Sequence, residues 1–482
     1  MPKIISVLHI ADLHRSQAVH ISNTVLINSL EKDLERYTND EDIPKPSIIV
    51  VSGDIINGKG TKDEIYEQYE EAYIFLCEIA DSFLDGNREK IIIVPGNHDM
   101  NWCYSKTSMN SLPLNSNPDE KLKQKKDYYR LLKQDILMRW SWETFEFLRI
   151  TDQVMYDKRM EEFVEFYERF YEGKRKYSLD SMKQYDIFDY PEFNLTVVGF
   201  NSCFRNDHCN LEGKINPDCI ANVTRTLRQP KYNGRFLMTV WHHNTSGRPN
   251  ENNYMSATVL QHLIESGFSL GFHGHQHKQD IVYEDFKLNS QKKMVVISSG
   301  SLCAGPDELP VGETRNYNIV KIDIQNLQID VHVRKMLGDS FDSPIWVPST
   351  TINNISINQP QQTDINNESF GIQKMLEVDE LIKKTDYEQA LSILEKLSFE
   401  NDLVRYLSLE CFFHTKRHKE IIQYYMPPRS KREFIYLIDA IIAERDKDAI
   451  LTLSKINIDE QLKDSAVKEE YDKLQKRVIM WK

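Results

Sequence analysis

The sequence predicts an α/β domain followed by a separate all-α region, and three observations carry that prediction. From Lys3 to about Met336, short β-branched runs alternate with polar, helix-patterned stretches. From Ser349 to Glu368 the composition turns to Asn, Gln, Ser and Thr with almost no charge, which is linker composition. Beyond it, residues 369–482 follow a helical pattern throughout. The expected organisation is therefore a first domain over 1–348, a polar linker over 349–368 and a helical, repeat-like domain over 369–482.

The first domain is read from its strands. IISVLHIAD, PSIIVVSGD, KIIIVPGN, NLTVVGFNS, RFLMTVWHH, FSLGFHGH, KMVVISSGS and NYNIVKIDI are continuous apolar runs bounded by turn residues. Such runs belong to strands buried on both faces, so helices must cover the sheet. Residues 100–190 break the rhythm. DYYRLLKQDILMRWSWETFEFL and EEFVEFYERFYEGKRKY carry aromatic and apolar residues at helical spacing, which predicts a helical insertion capping the site. In the last region DYEQALSILEKL, RHKEIIQYY and DKDAILTLSKI begin at comparable points if Tyr387, His418 and Lys447 are equivalent. A period of about 30 residues suggests stacked helical hairpins of tetratricopeptide type; a plain helical bundle is the alternative.

Composition narrows the function. The chain of 482 residues carries a formal charge of −13, the wrong sign for coating nucleic acid by bulk charge, although a local basic groove remains open. The longest aliphatic stretch, Ile91 to Val94, is far short of a membrane span, so no membrane association is expected. Asp12 and His14 interrupt the first apolar run before a cleavage site could appear, which predicts a cytoplasmic protein. Seven cysteines without a C-x-x-C pair fit reduced thiols better than a disulfide framework or structural zinc.

Five clusters share one chemical character, each placing Asp, His or Asn at the end of an expected strand. They are Asp12-Leu-His14, Gly53-Asp54 with Asn57, Gly96-Asn97-His98-Asp99, His242-His243, and Gly274-His275-Gln276-His277. Carboxylate, amide and imidazole together suit divalent transition metals. Alternation along a strand would put Asp12 and His14 on one face, and His275 and His277 likewise.

In this order the clusters resemble the signature of the calcineurin-like metallophosphoesterases, D-x-H, G-D-x-x-[DN], G-N-H-[DE], H and G-H-x-H, over roughly residues 3–335. The resemblance implies a two-sheet αββα sandwich and a binuclear metal site. In that pattern Asp12, His14 and His277 hold one metal, Asn97, His242 and His275 the other, and Asp54 bridges them. Manganese is the favoured ion pair, with Fe, Zn or Ni also accepted by such ligands. A water activated between the metals would attack a phosphorus centre. His98 would stabilise the transition state or protonate the departing oxygen, with Asp99 orienting it. His243 stays open as an alternative to His242, because Asn244 follows where the family often has Pro. His9 and His273 are read as packing or supporting groups.

Departures from the pattern bear on the substrate. The protein phosphatase branch places an Asp-Arg pair after the G-D motif; here Ile55-Ile56-Asn57-Gly58 follows, and the Arg is missing. The third cluster ends in Asp99 where that branch has Glu, and G-H-x-H is typical of phosphodiesterases and nucleases. The expected substrate is a phosphodiester. Lys121, Lys123, Lys125, Lys126, Arg130, Lys133 and Arg139 with Tyr128, Tyr129 and Trp140 interleaved could track DNA or RNA, or form a solvated helix whose aromatics face the core. The competing readings are a phosphomonoesterase or cyclic nucleotide phosphodiesterase, and a signalling or scaffold component. In the last, the helical region binds a protein partner or a second copy of the chain.

Overall fold

The computed structural model describes residues 4–16, 21–247, 253–285, 292–305, 308–338, 343–357, 377–378, 381–382, 384–397, 399, 402–456 and 465–479. Two six-stranded sheets form the first domain. One joins β1 (Ile4–Ile10), β2 (Ile48–Val51) and β3 (Ile91–Ile93), all parallel, to the antiparallel strands β13 (Asn316–Asp323), β14 (Gln328–Met336) and β15 (Trp346–Ser356), in the order β15-β14-β13-β1-β2-β3. The other runs β11-β12-β10-β9-β8-β7, with parallel β8 (Leu195–Phe200), β9 (Phe236–Val240), β10 (Leu270–His273) and β12 (Lys293–Ser298) between antiparallel edges β7 (Tyr185–Tyr190) and β11 (Asp280–Asp285).

Burial explains why the predicted strands form. Ile10, Val50 and Ile92 share one core with Val197, Met238 and Phe272 of the facing sheet. The outer face of the first sheet is closed by helices Asn23–Asp40 and Lys62–Leu84, which bury Leu26, Leu30, Phe75 and Ile79. Helices Pro217–Leu227 and Ala257–Glu265 close the second sheet over Trp241, Ile220 and Leu263. This is the αββα sandwich, and it brings the carboxyl ends of β1, β2, β3, β9 and β10 to one rim.

Two expectations are corrected. Residues 138–150 form a strand hairpin, not helix: β4 (Met109–Ser111), β6 (Glu146–Ile150) and β5 (Met138–Ser141) make a three-stranded sheet, and only Pro118–Gln134 and Glu161–Phe170 are sizeable helices of the insertion. Trp140 and Phe147 are cross-strand partners whose rings pack 4.8 Å apart, and the turn between them places Phe145 at φ 55. Aromatic residues favour this pleated pairing once a partner strand exists. Residues 349–356, expected as linker, complete edge strand β15. The strand is anchored by Trp346, which is buried against Tyr317 with its indole N–H donating to Ser29 Oγ at 3.0 Å. An edge strand tolerates the polar outward residues and Pro348 that made the segment look irregular. The rest of the expected linker, 358–368, lies outside the described residues.

Among the described residues after it, helices begin at Tyr387 (Tyr387–Leu394), His418 (His418–Tyr424) and Lys447 (Lys447–Leu453). Asp402–His414 packs on the first of these and Lys431–Glu444 on the second, while Ser465–Val478 packs on Lys431–Glu444. The Lys431 ammonium pairs with the Asp280 carboxylate of β11 and ties this region to the first domain. All seven cysteines are free thiols. Among the described residues no helix is long and apolar enough to cross a membrane.

Candidate active site

The loops leaving the sandwich rim hold every predicted site residue, but by turns instead of strands. β1 stops at Ile10, so Asp12 and His14 lie beyond the pleat. They share a direction because both adopt left-handed backbone, φ 50 and 43, around an intervening Leu13. Asp54, His275 and His277 do the same at φ 49, 77 and 51. Non-glycine residues in this region carry strain that the surrounding structure must overcome. Here the loops zip together: the N–H of Asp12 donates to Gly53 O, that of His14 to Asp54 O, and that of Arg15 to Ile55 O, at 3.0–3.1 Å.

The side chains then converge. Asp12, His14 and His277 form one group and Asp54, His242 and His275 another, with ligand-capable atoms of each group within 4.8 Å of one another. His14 Nε2 faces His277 Nε2 at 3.0 Å, and His277 Nε2 is 3.5 Å from Asp12 Oδ1. His242 Nε2 is 3.2 Å from Asp54 Oδ2, 3.0 Å from Asn97 Oδ1 and 3.1 Å from His275 Nδ1. Asp54 lies between the two groups, its Oδ2 also 4.0 Å from His14 and 3.9 Å from His98. Imidazole nitrogens converging at such range beside buried carboxylates make a donor set that fits divalent cations.

Backbone carbonyls set the imidazole tautomers. The Nδ1 of His242 lies 2.9 Å from Ser52 O, that of His277 2.7 Å from Glu308 O, and that of His98 2.6 Å from Asn57 O. An Nδ1–H donated to a carbonyl leaves Nε2 turned to the site. Glycines are required where the loops meet: a Cβ on Gly96 would lie 2.1 Å from Asp54 Oδ1, and one on Gly274 2.6 Å from Asp12 Oδ2. Asp12 uses both carboxylate oxygens to accept the N–H of His275 at 3.1 Å, coupling the first loop to the last.

The electrostatics fit a cation site. Burial works against the charge on Asp54, but His242, His98 and His14 overcome it and hold the carboxyl well below its usual range. Burial also works against a charged His242, yet the carboxylates of Asp54 and Asp12 raise it to about 9. Asp12 is pushed up to about 6, chiefly by burial. His275 is pushed down to about 3 by burial and by His242, and His14 falls well below its usual value by burial and by His98.

Two sequence readings are resolved by position. His242, not His243, faces Asp54; His243 turns its Nδ1 to Ser202 Oγ at 2.9 Å and its Nε2 to Asn206 at 3.5 Å. Asp99, expected to orient His98, instead accepts the N–H groups of Gly96 at 2.7 Å, Ile55 at 3.1 Å and Ile56 at 3.3 Å. The turn after Asp54 leaves those donors pointing inward, so Asp99 pins the loop while the Asn57 carbonyl holds His98. Burial and the charge of Asp54 raise Asp99 to about 7. His9 and His273 are buried supports, the former on Ser52 Oγ at 2.9 Å and the latter stacked on Trp241. Ser202 escaped the sequence reading; its Oγ accepts the N–H of both His242 and His243, and its only signal was its place at the end of a strand run. A further group, Asp207, His208 and Cys209, is structural: the Asp207 oxygens are taken by Arg139, Tyr156 and the N–H groups of Cys209 and Asn210.

Residues 5–279 match the family description "Calcineurin-like phosphoesterase". The chain belongs to the calcineurin-like phosphoesterase family. Membership implies a metal-dependent phosphoester hydrolase with a binuclear divalent-metal site, and the Asp and His groups above supply the ligands such a site needs. Among solved structures, a dimetal phosphatase from Danio rerio is 9% identical over 72% of this chain and 99% of its own, with a TM-score of 0.38. Vps29 from Chaetomium thermophilum is 10% identical over 74% of this chain and 98% of its own, with a TM-score of 0.26. No curated protein matches the chain.

Proposed function

We propose that this calcineurin-like phosphoesterase hydrolyses phosphodiester bonds. The observation that carries the reading is the convergence of Asp12, His14 and His277 with Asn97, His242 and His275 on either side of Asp54. In this reading the first three residues would hold one divalent ion, manganese being favoured, and the second three another, with the Asp54 carboxylate placed to serve either. When bound, such a pair supplies Lewis acidity to the phosphate oxygens and brings a water's pKa toward neutrality.

The chain's own residues do the rest. Asp99 and Gly96 keep Asp54 in place, and Ser52, Glu308 and Ser202 fix the imidazoles, so little reorganisation is needed when substrate arrives. His98 stands on the open side, 29% exposed, with Nδ1 committed to Asn57 O and Nε2 turned inward. From there it gives a proton at Nε2 to the oxygen that leaves. In the stretch Ile55-Ile56-Asn57-Gly58, Asn57 and Gly58 stand where the protein phosphatase branch carries Asp-Arg. A phosphomonoester dianion therefore lacks that guanidinium grip, which favours diesters.

The test compares bis-p-nitrophenyl phosphate with p-nitrophenyl phosphate on the Mn-reconstituted protein. A higher kcat/KM on the diester is expected; preference for the monoester would overturn the diesterase reading and leave a phosphomonoesterase. The tie between Lys431 and Asp280, three residues beyond His277, favours a second role in which a protein partner or second copy on the helical region acts on this site. Loss of that tie in Lys431→Ala should change KM or metal affinity; wild-type values for both would remove the support for this role.

A further inference from the structure

A cleft of about 240 Å3 lies where the 201–212 loop meets β5 and the end of helix Pro118–Gln134. Met138, Trp140, Trp142 and Arg205 are among the residues that line it. Two donors there lack acceptors: Trp140 Nε1 and Arg205 Nε are both buried without a hydrogen-bond partner. Among the described residues no carboxylate lies within ion-pair distance of the Arg205 guanidinium; burial lowers its pKa, and the nearby Glu212 carboxylate only partly opposes that. The carboxylates that do line the cleft are occupied, Asp135 by Arg149 at 3.1 Å and Glu212 by Lys214 at 3.9 Å. Buried donors are almost always satisfied, so two in one cleft call for an acceptor-rich ligand.

The aromatic surroundings specify its shape. Trp142 is 75% exposed and Phe145 69%, and they continue an edge-to-face series from Trp140, with centroid spacings of 5.7 Å and 6.4 Å. The ring of Tyr129 lies 6.0 Å from that of Trp140. Lys121, Lys123, Lys125, Lys126 and Arg130 stay exposed along the adjoining helix, while Arg139 is spent on Asp207. Planar faces, unpaired donors and a cationic flank match a base and its phosphates. A chain of buried contacts links the cleft to the site. Asn206, next to Arg205, reaches His243, whose ring lies 4.7 Å from that of His275.

We infer that this cleft takes an unpaired nucleobase, stacked on Trp142 with Arg205 on its phosphate, so that single-stranded nucleic acid is the substrate class of the site. The substrate assignment rests on the phosphodiesterase reading; the cleft itself does not.

Fluorescence anisotropy on the full chain carrying Asp54→Asn, with labelled single-stranded DNA and RNA of about 12 nucleotides, tests binding without turnover. Trp142→Ala should raise Kd on the order of 10-fold, Trp142→Phe should restore most of it, and Arg205→Gln should weaken binding and flatten its salt dependence. A duplex of the same sequence should bind less well. Equal binding by all variants, no binding of single strands at low salt, or preference for the duplex would overturn the inference. Hydrolysis of bis-p-nitrophenyl phosphate by the wild type is run beside it. Cleft-dependent binding with no hydrolysis sinks the phosphodiesterase reading alone, and hydrolysis without cleft-dependent binding sinks this one alone.

Discussion

His98→Ala separates two roles that one imidazole could play. His98 is held by its Nδ1 hydrogen bond to Asn57 O and by an edge contact with His14 at 4.7 Å, and its backbone N–H donates to Asp54 Oδ1 at 2.9 Å. The backbone bond survives the substitution, so Asp54 should keep its place and metal content should not change. General acid catalysis contributes about 10²- to 10⁴-fold, or roughly 2.7–5.4 kcal/mol at 1.36 kcal/mol per decade. At 29% exposure, water can partly stand in as the proton source, which sets the expected loss near the lower half, about 10²- to 10³-fold. That loss applies only where the leaving oxygen is a poor one. The assay is kcat on a dinucleoside phosphate, which releases an alkoxide, beside bis-p-nitrophenyl phosphate, which releases a stable phenolate. The expected loss is about 10²- to 10³-fold on the first and under about tenfold on the second. Equal losses on both would refute the proton-donor role and leave His98 as a stabiliser of transition-state charge.

Further consequences follow from the same geometry. Metal loading should release protons: His242, raised to about 9 in the metal-free protein, is protonated below that pH and must give its proton up to bind. Affinity should therefore rise about tenfold per pH unit between 7 and 9 and level off above, and fall further below about 6 as Asp12 protonates. Calorimetry in buffers of different ionisation enthalpy reads the protons, and none released at pH 7.5 would contradict it. Gly96→Ala would drive a Cβ to within 2.1 Å of Asp54 Oδ1, so metal binding should drop sharply in a folded protein, as read by metal content after dialysis. Wild-type content would show that the loop can give way. Asp33→Ala should cost about 3 kcal/mol in chemical unfolding. Arg334, fully buried, donates to Asp33 at 2.5 Å and 2.8 Å and would keep only its bonds to the two Glu41 oxygens at 2.7 Å and 2.9 Å, so an unchanged midpoint would contradict the pair's role.

The sequence exposed most of the sandwich because its parallel strands are buried on both faces and read as unbroken apolar runs. It hid the edges. β15 carries Pro348 and an outward row of Ser, Thr and Asn, and its place depends on Trp346 finding Ser29 more than 300 positions away, a long-range contact that composition does not record. The β5–β6 hairpin was hidden for another reason: Trp140, Trp142, Phe145 and Phe147 satisfy helical and strand spacing alike, and Arg139 adopts a buried role because Asp207 is there to meet it. At the site, residue types and order pointed to every group that converges. The left-handed backbone at Asp12, His14 and Asp54 did not show, since no glycine marks it, and Asp99's true partners follow from the turn at Ile55 and Ile56. The Trp142 and Arg205 cleft joins residues some 60 positions apart and had only its basic, aromatic half in view.

The two-ion site is tested most directly by titrating Mn into the metal-free protein while following hydrolysis of bis-p-nitrophenyl phosphate, for wild type and Asp54→Ala side by side. The expected course is little activity through the first equivalent, a steep rise with the second, and none at any loading in Asp54→Ala. Full activity at one equivalent, or comparable activity without the Asp54 carboxylate, would contradict a paired-metal centre joined at that residue.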